Sequence, residues 1–322
     1  AAESSRLQFV LYGDEATISA ELARQRALQG RVEVRHTDRV VAMDEKPAQA
    51  LRRGKGTSMW SAIEAVKAGQ AQAAVSAGNT GALMAMSLLI LRMSVPVERP
   101  CLVVSWPGVK GVSTVLDVGA NVDCDAERLV EFAIMGEAFH RAAHGVARPS
   151  VGLLNIGSEE MKGHEEVRQA HAILRSGKFD LDYRGFVEGD ELSQNKTDVI
   201  VTDGFTGNIA LKTAEGTAKY VGGELRAALT SSLITKLGAL LARSGLLAFR
   251  EKLSPDAAAP LLGLNGVVVK SHGGASERDI ASAIRMAAKL ARSDFAAEIE
   301  RNMTRLTAAV ADQQPPAVDG AA

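Results

Sequence analysis

One order of segments recurs along the chain and restricts its fold more than any other feature: a short apolar run, a cluster of glycine with asparagine or aspartate, then a helical stretch. Residues 73–77 run into Gly78-Asn79-Thr80-Gly81 and an apolar helix expected over 82–93. Residues 102–105 form a second strand-like run, and 114–118 a third that ends at Gly119-Ala120-Asn121. The helix expected next, over 126–143, places Leu129, Phe132, Gly136 and Phe139 on one face at spacings of 3, 4 and 3. Residues 150–156 end in Gly157 ahead of a polar helix. Residues 198–202 end in Asp203-Gly204-Phe205-Thr206-Gly207-Asn208 ahead of a long helix, and 266–270 end in Ser271-His272-Gly273-Gly274 ahead of a last helix over 276–306. Such strands do not alternate apolar with polar, which marks burial on both faces, as in a parallel sheet covered by helices. Their alternation with helices gives the α/β class, in which ligands bind at the carboxyl ends of strands. The glycine clusters fall at those ends.

Ahead of this pattern, residues 7–12 read as a strand closed by Gly13, 18–28 as an alanine-rich helix and 31–35 as a short strand. Thr57-Ser58 is an N-cap signal for a helix over 59–67, and Gly69 stands where a left-handed C-terminal residue belongs. The tail 311–322, with Pro315-Pro316, reads as disordered.

Composition removes several classes of function. The 37 basic and 38 acidic residues nearly cancel, which argues against a nucleic-acid footprint, and aromatics at 4% disfavour a stacking platform for single strands. Two cysteines, Cys101 and Cys124, exclude a disulfide scaffold and a cysteine-rich zinc site. No run reaches the ~18–20 apolar residues of a membrane span, and no signal-peptide pattern opens the sequence. GxGxxG, GxxxxGK[ST] and GxSxG are all absent; Gly54-Lys55-Gly56-Thr57 lacks the phosphate-loop spacing, and Ser76 reads as part of its strand.

The chemistry therefore rests on the strand-end loops. Gly78, Asn79, Thr80 and Gly81 combine close backbone approach with a helix N-terminus, which suits an anion, and the same residues also suit a plain strand–helix turn. Lys270 and His272 flank the end of the last strand, where His272 reads either as an acid, base or cation toward an anionic substrate, or as a structural histidine. Lys162, with Glu159 to orient it, can face an anion or belong to a charged helix start. Asp117, Asn121 and Asp123 form one polar cluster, Asp203 and Asn208 another. Paired acids of this kind bind Mg²⁺ or cap helices. Cys124 beside the first cluster raises a thioester intermediate as a minor alternative. His36, His140, His144, His164 and His171 show no ligand spacing. The leucine-rich segment 231–253, with Lys236, Arg243, Arg250 and Lys252, is too charged to span a bilayer and fits an interfacial helix, a dimer contact or a helical hairpin on the core.

Six stretches in order, VSAGNTGALMA (75–85), LDVGANVDC (116–124), VGLLNIGSEEMKG (151–163), FVEGDEL (186–192), TDVIVTDGFTGNIALK (197–212) and LLGLNGVVVKSHG (261–273), closely resemble the bacterial PlsX family of phosphate acyltransferases. The resemblance implies a Rossmann-like three-layer α/β sandwich with a mostly parallel sheet, similar to phosphotransacetylase and to isocitrate and isopropylmalate dehydrogenases. It implies one acyltransferase domain over 1–310, with 231–253 as a protruding helical segment. It also implies transfer of a long-chain acyl group from acyl carrier protein to inorganic phosphate, giving acyl phosphate for phospholipid synthesis. No cofactor or metal is implied. The implied state is a cytoplasmic homodimer touching the membrane peripherally, and 231–253 is where that contact is expected. Family members open on a strand and a DAMGGD-type loop that these residues lack, so one strand and one glycine loop are expected to be missing.

In this scheme phosphate attacks the thioester directly and needs no serine or cysteine nucleophile. The loops 78–81 and 204–208 hold it. Lys162, Lys270 and His272 supply positive charge or protonate the thiolate, and Asn79, Asn121 and Asn208 donate to the thioester oxygen. Gly204, Gly207, Asp117, Glu159 and Asp203 complete the expected binding set. Arg92, Arg99 and Lys110 are scattered candidates for carrier docking. Two alternatives stay open: an acyl- or acetyl-CoA phosphotransacylase, or an NAD-linked oxidation of a hydroxyacid, on the same fold; and a carrier- or membrane-binding module without catalysis.

Overall fold

The computed structural model describes residues 7–301 except 95, 96, 98, 178, 254–257, 296, 298 and 300. They form two units: one from Ala1–Pro100, Ala142–His144 and Ala257–Ala322, the other from Cys101–Arg141 and Gly145–Asp256. The expected tail over 311–322 lies outside the described residues.

The first unit begins with β1 (Phe9–Gly13), α1 (Glu15–Leu22) and β2 (Val32–His36), the two strands pairing in parallel from Phe9↔Val32 to Gly13↔His36. The helix expected over 18–28 is shorter: α1 stops at Leu22, and Arg26–Leu28 is a single 3-10 turn. There follow α2 (Pro47–Arg53), α3 (Ser58–Lys67), β3 (Ala73–Ser76) and α4 (Thr80–Leu91). Thr57 caps α3 by accepting from the Trp60 N–H at 3.3 Å, and Gly69 closes it at φ +69°. α4 is apolar on nearly every side, with Leu83, Met86, Ile90 and Leu91 buried.

The second unit opens on an antiparallel hairpin, β4 (Cys101–Gly108) with β5 (Gly111–Leu116), running from Val103↔Leu116 to Gly108↔Gly111. This pair is antiparallel, unlike the parallel sheet expected from its apolar, non-alternating strands. The connection Val109-Lys110 is too short for a crossover and suits a hairpin. Next come α5 (Ala126–His144), β6 (Ser150–Leu154), α6 (Glu165–Arg175), β7 (Asp182–Val187), β8 (Val199–Val201), α7 (Gly204–Leu229), α8 (Leu233–Leu241) and α9 (Arg243–Leu253). The strands lie in the order β4-β5-β8-β6-β7, parallel from β5 onward. α5 buries Leu129, Phe132, Met135 and Phe139. A Cβ at Gly136 would stand 2.7 Å from Leu116 Cδ2 and from Val199 Cγ1, so glycine sets how closely α5 crosses the strands.

β9 (Ala258–Leu262), β10 (Val267–Ser271) and α10 (Glu277–Arg292) return to the first unit. β10 is the middle strand there, parallel to β3 and antiparallel to β9. α10 buries Ala283, Met286, Ala287 and Leu290 at helical spacing. The helix expected over 276–306 is broken: α10 ends at Arg292 before an extended Ser293, helical residues resume at Phe295, and 302–306 lie outside the described residues. Among the described residues, no helix is long and apolar enough to cross a membrane.

Candidate functional site

In the second unit β5, β8 and β6 are adjacent and parallel, so their carboxyl ends share one edge. Three of the glycine loops meet there. Asp117, just past β5, is the hub. Its fully buried carboxylate accepts from the N–H groups of Leu102 at 3.0 Å, Gly119 at 3.2 Å, Ala120 at 3.1 Å and Asn121 at 2.6 Å, and from Asn121 Nδ2 at 2.9 Å. Burial pushes this carboxyl above its ordinary range, against the pull of the bonds from Leu102, Ala120 and Asn121. Asp117 thus shapes the loop from within.

The start of α7 is seated on that loop. Asp203 caps the helix, accepting from the Thr206 N–H at 2.8 Å and from its hydroxyl at 2.7 Å. The Gly204 N–H donates to Asn121 O at 2.7 Å. A Cβ at Gly204 would lie 2.4 Å from Asn121 O, and one at Gly207 2.0 Å from Asp117 O. Both glycines are therefore required by backbone contact. Asn208 Nδ2 donates to Val118 O at 3.1 Å.

The loop after β6 is built on Asn155, which the sequence reading did not single out. Its Nδ2 donates to Lys162 O at 3.1 Å and its Oδ1 accepts from the Ile156 N–H at 2.9 Å, folding 156–163 into a tight arc. Lys162 Nζ lies 3.9 Å from Glu159 Oε1, with both side chains about half exposed. Nearby, Cys124 is half-buried. Burial, with the negative charges of Asp117 and Asp203, pushes its thiol up to about 12. A thiol so placed is protonated at neutral pH, which argues against the thioester alternative.

In the first unit β3 and β10 are parallel neighbours, so 78–81 and 271–274 also share an edge. Asn79 caps α4, accepting from the Ala82 N–H at 3.0 Å, while its amide nitrogen donates to Met43 O at 2.9 Å and Glu45 O at 2.8 Å. Gly81 fits against Pro47, and Gly78 against the end of Met59. Thr80 is exposed. Lys270 is buried, its Nζ donating to Ser271 O, and burial pushes its ammonium below the ordinary range. His272 is exposed and its Nδ1 accepts from the Gly274 N–H at 3.1 Å, so in the neutral ring Nε2 carries the proton.

Of the remaining histidines, His164 directly follows the 156–163 arc as the N-cap residue of α6, and His140 and His171 lie within α5 and α6. His140 is buried against the Thr114 hydroxyl at 2.9 Å. His171 stacks on Phe186 and meets the Tyr183 hydroxyl at 2.7 Å. Among the described residues no three His, Cys, Asp or Glu side chains gather as metal ligands.

The sequence profile described as "Fatty acid synthesis protein" matches residues 1–298. The chain is 68% identical to a phosphate acyltransferase of Phenylobacterium zucineum (strain HLK1), over 98% of this chain and 90% of that one. It is 60% identical to a phosphate acyltransferase of Caulobacter vibrioides, over 97% and 89%. Among solved structures, a phosphotransacetylase from Streptococcus pyogenes superposes with a TM-score of 0.57 at 18% identity, over 89% of this chain and 96% of that one. The EutD phosphotransacetylase from Staphylococcus aureus gives 0.55 at 16%, over 89% and 95%. These two show the α/β fold. With identities this high across nearly the whole length, the chain belongs to the PlsX family of phosphate acyltransferases, the fatty acid synthesis proteins, and is an acyltransferase.

Proposed function

We propose that the protein transfers a long-chain acyl group from acyl carrier protein to inorganic phosphate, releasing the carrier thiol and giving acyl phosphate for phospholipid synthesis. The observation that carries this reading is the start of α7. There Gly204 and Gly207 allow a helix N-terminus to lie against the 117–121 loop without intervening side chains. With the Gly204 N–H donated to Asn121 O and those of Thr206 and Gly207 to Asp203, the Phe205 N–H and the helix dipole are what this N-terminus offers a tetrahedral oxyanion or a phosphate. Phosphate is already a nucleophile, so the protein's work is to orient it and to stabilise the oxyanion that forms as the phosphate oxygen adds to the thioester carbon. Asn79 spends its amide protons on Met43 O and Glu45 O, and Asn121 is buried with its amide on Asp117, whereas Asn208 is only partly buried. The second amide proton of Asn208 is therefore assigned to the thioester oxygen. Lys162, steadied by Glu159, supplies positive charge to phosphate and a proton to the departing thiolate. Lys270, His272 and the 78–81 loop offer a further anion-binding edge in the first unit. Asp117 and Asp203 act as positioning residues.

The protein acts as a cytoplasmic homodimer, as the family resemblance supports, and touches the membrane through 231–253. Leu233, Ile234 and Leu241 there are 84%, 85% and 79% exposed, beside Lys236 and Arg243.

The test incubates palmitoyl–acyl carrier protein with and without phosphate and traps acyl phosphate with hydroxylamine under conditions where the thioester survives. Phosphate-dependent product is expected, with at least a tenfold loss of kcat in Asn208→Ala and Lys162→Ala. Turnover of short acyl-CoA but not of the carrier thioester would replace this substrate with the CoA alternative. Carrier binding without turnover would reduce the protein to a binding module.

A further inference from the structure

We propose that a groove alongside α7 in the second unit holds the fatty acyl chain while its thioester end lies at the strand-end loops; this rests on the acyl-transfer reading above. The groove measures about 670 Å³. Its floor is the α7 face carrying Ala210, Ala214 and Ala218, and its walls include Trp106, Leu192 and Phe249.

Three observations point to this occupant. The first is position. Ala210 comes two residues after Asn208, and the floor then follows α7 away from the loops for about 12 Å to Ala218, at 1.5 Å per residue. The wall keeps pace: Trp106 pairs with Ser113, three residues before the end of β5, about 10 Å below the edge where the loops gather.

The second observation is polarity. Among the lining residues Asp190 is the one charged group, and no cation lines the groove. Trp106 Nε1 donates to Ser193 Oγ at 3.0 Å, so the polar edge of the indole is already satisfied. Thr213 and Thr217 bring hydroxyls, but an anion finds no cation there, whereas an uncharged hydrocarbon needs none. The third is shape. Where α5 packs its own unit it presents Leu, Phe and Met. Toward the groove α7 presents alanine at the i, i+4 positions 210, 214 and 218, side chains too short to fill it.

The test uses octanoyl, dodecanoyl and palmitoyl carrier protein with the parent, Ala214→Phe and Ala218→Phe. The two plugs stand about 9 and 15 Å from Asn208 along the helix. Both are expected to raise the octanoyl-to-palmitoyl ratio of kcat/KM at least tenfold, with Ala214→Phe also penalising dodecanoyl and Ala218→Phe doing so less. Equal losses at all three lengths, or an unchanged ratio, overturn the proposal.

A binding readout separates the groove from the reaction. In Trp60→Phe, Trp106 is the remaining tryptophan, and palmitate should change its emission saturably, an effect lost in Ala214→Phe. If the parent makes no acyl phosphate at any length while Trp106 still reports palmitate, the reaction is wrong and the groove stands. If the parent transfers palmitoyl groups while Trp106 is silent, the groove is wrong and the reaction stands. Dissociation of a dimer by both plugs, with chain selectivity unchanged, would make this face a contact between copies and overturn the proposal.

Discussion

The loops at Gly78–Gly81 and at Asp203–Asn208 are written in nearly the same letters, and the structure builds them differently. Each follows a strand, starts a helix and places a capping Asn or Asp first. In the first unit the glycines abut side chains, Met59 and Pro47, and Asn79 reaches out to tie down residues 43–45. In the second the glycines abut backbone, Asn121 O and Asp117 O, over a buried carboxylate. A side chain can swing away from an intruding methyl group, and a backbone carbonyl held by its own loop cannot. The second loop is therefore the stiffer of the two, as a site that must hold reacting atoms requires.

This contrast is open to attack by mutation. The largest effect is expected from Gly207→Ala, whose added carbon would stand 2.0 Å from Asp117 O. It should cost about 3 kcal/mol, read as a lower urea midpoint, and abolish transfer. Asp117→Asn should follow at about 2 kcal/mol, because an amide nitrogen would face backbone donors that now meet an acceptor. Gly78→Ala should cost less than about 1 kcal/mol, since the 2.6 Å contact is with the terminal carbon of Met59. A midpoint shift for Gly78→Ala as large as that for Gly207→Ala would erase the distinction between the loops.

The smallest effect is expected at Cys124. Cys124→Ser should transfer at a rate within about twofold of the parent, since a thiol held near 12 is not the nucleophile. Its sign can be checked directly. A free thiol near 8.5 is about a quarter thiolate at pH 8, and one near 12 about one part in ten thousand. Iodoacetamide should therefore modify Cys124 at pH 8 about a thousandfold more slowly than free cysteine. Its rate should still rise tenfold per pH unit from pH 7.5 to 9. A plateau in that range would mean an activated thiol.

Much of the frame was legible because the signals were local. The cap at Thr57, the left-handed Gly69, the buried face of α5 and the strand-end glycines are each fixed by a few neighbouring residues. What escaped depends on partners far along the chain. β9 carries Pro260, which cannot donate to a ladder, and lies antiparallel to β10. β4 and β5 are apolar enough to read as parallel strands, and their hairpin turn lacks an Asn-Gly or Asp-Gly signal. β7 is interrupted by Gly185 at φ +91°. In the candidate site, glycines and polar residues were found by their places at strand ends. The sequence could not tell that Asp117 faces inward to its own loop while Lys162 faces solvent, because burial is a property of the assembled sheet.

The first unit draws β3 from residues 73–76 and the strand beside it, β10, from 267–271, with the second unit spelled out between them. On a ribosome adding ~5–20 residues per second, the 194 residues from Val75 to its partner Val269 take about 10–40 s. Through that interval the second unit is completed while β3 has no β10 to pair with. The order of synthesis thus makes the inserted unit the earlier to mature, and leaves its host a newborn segment with an open edge, the kind of surface for which cells keep chaperones.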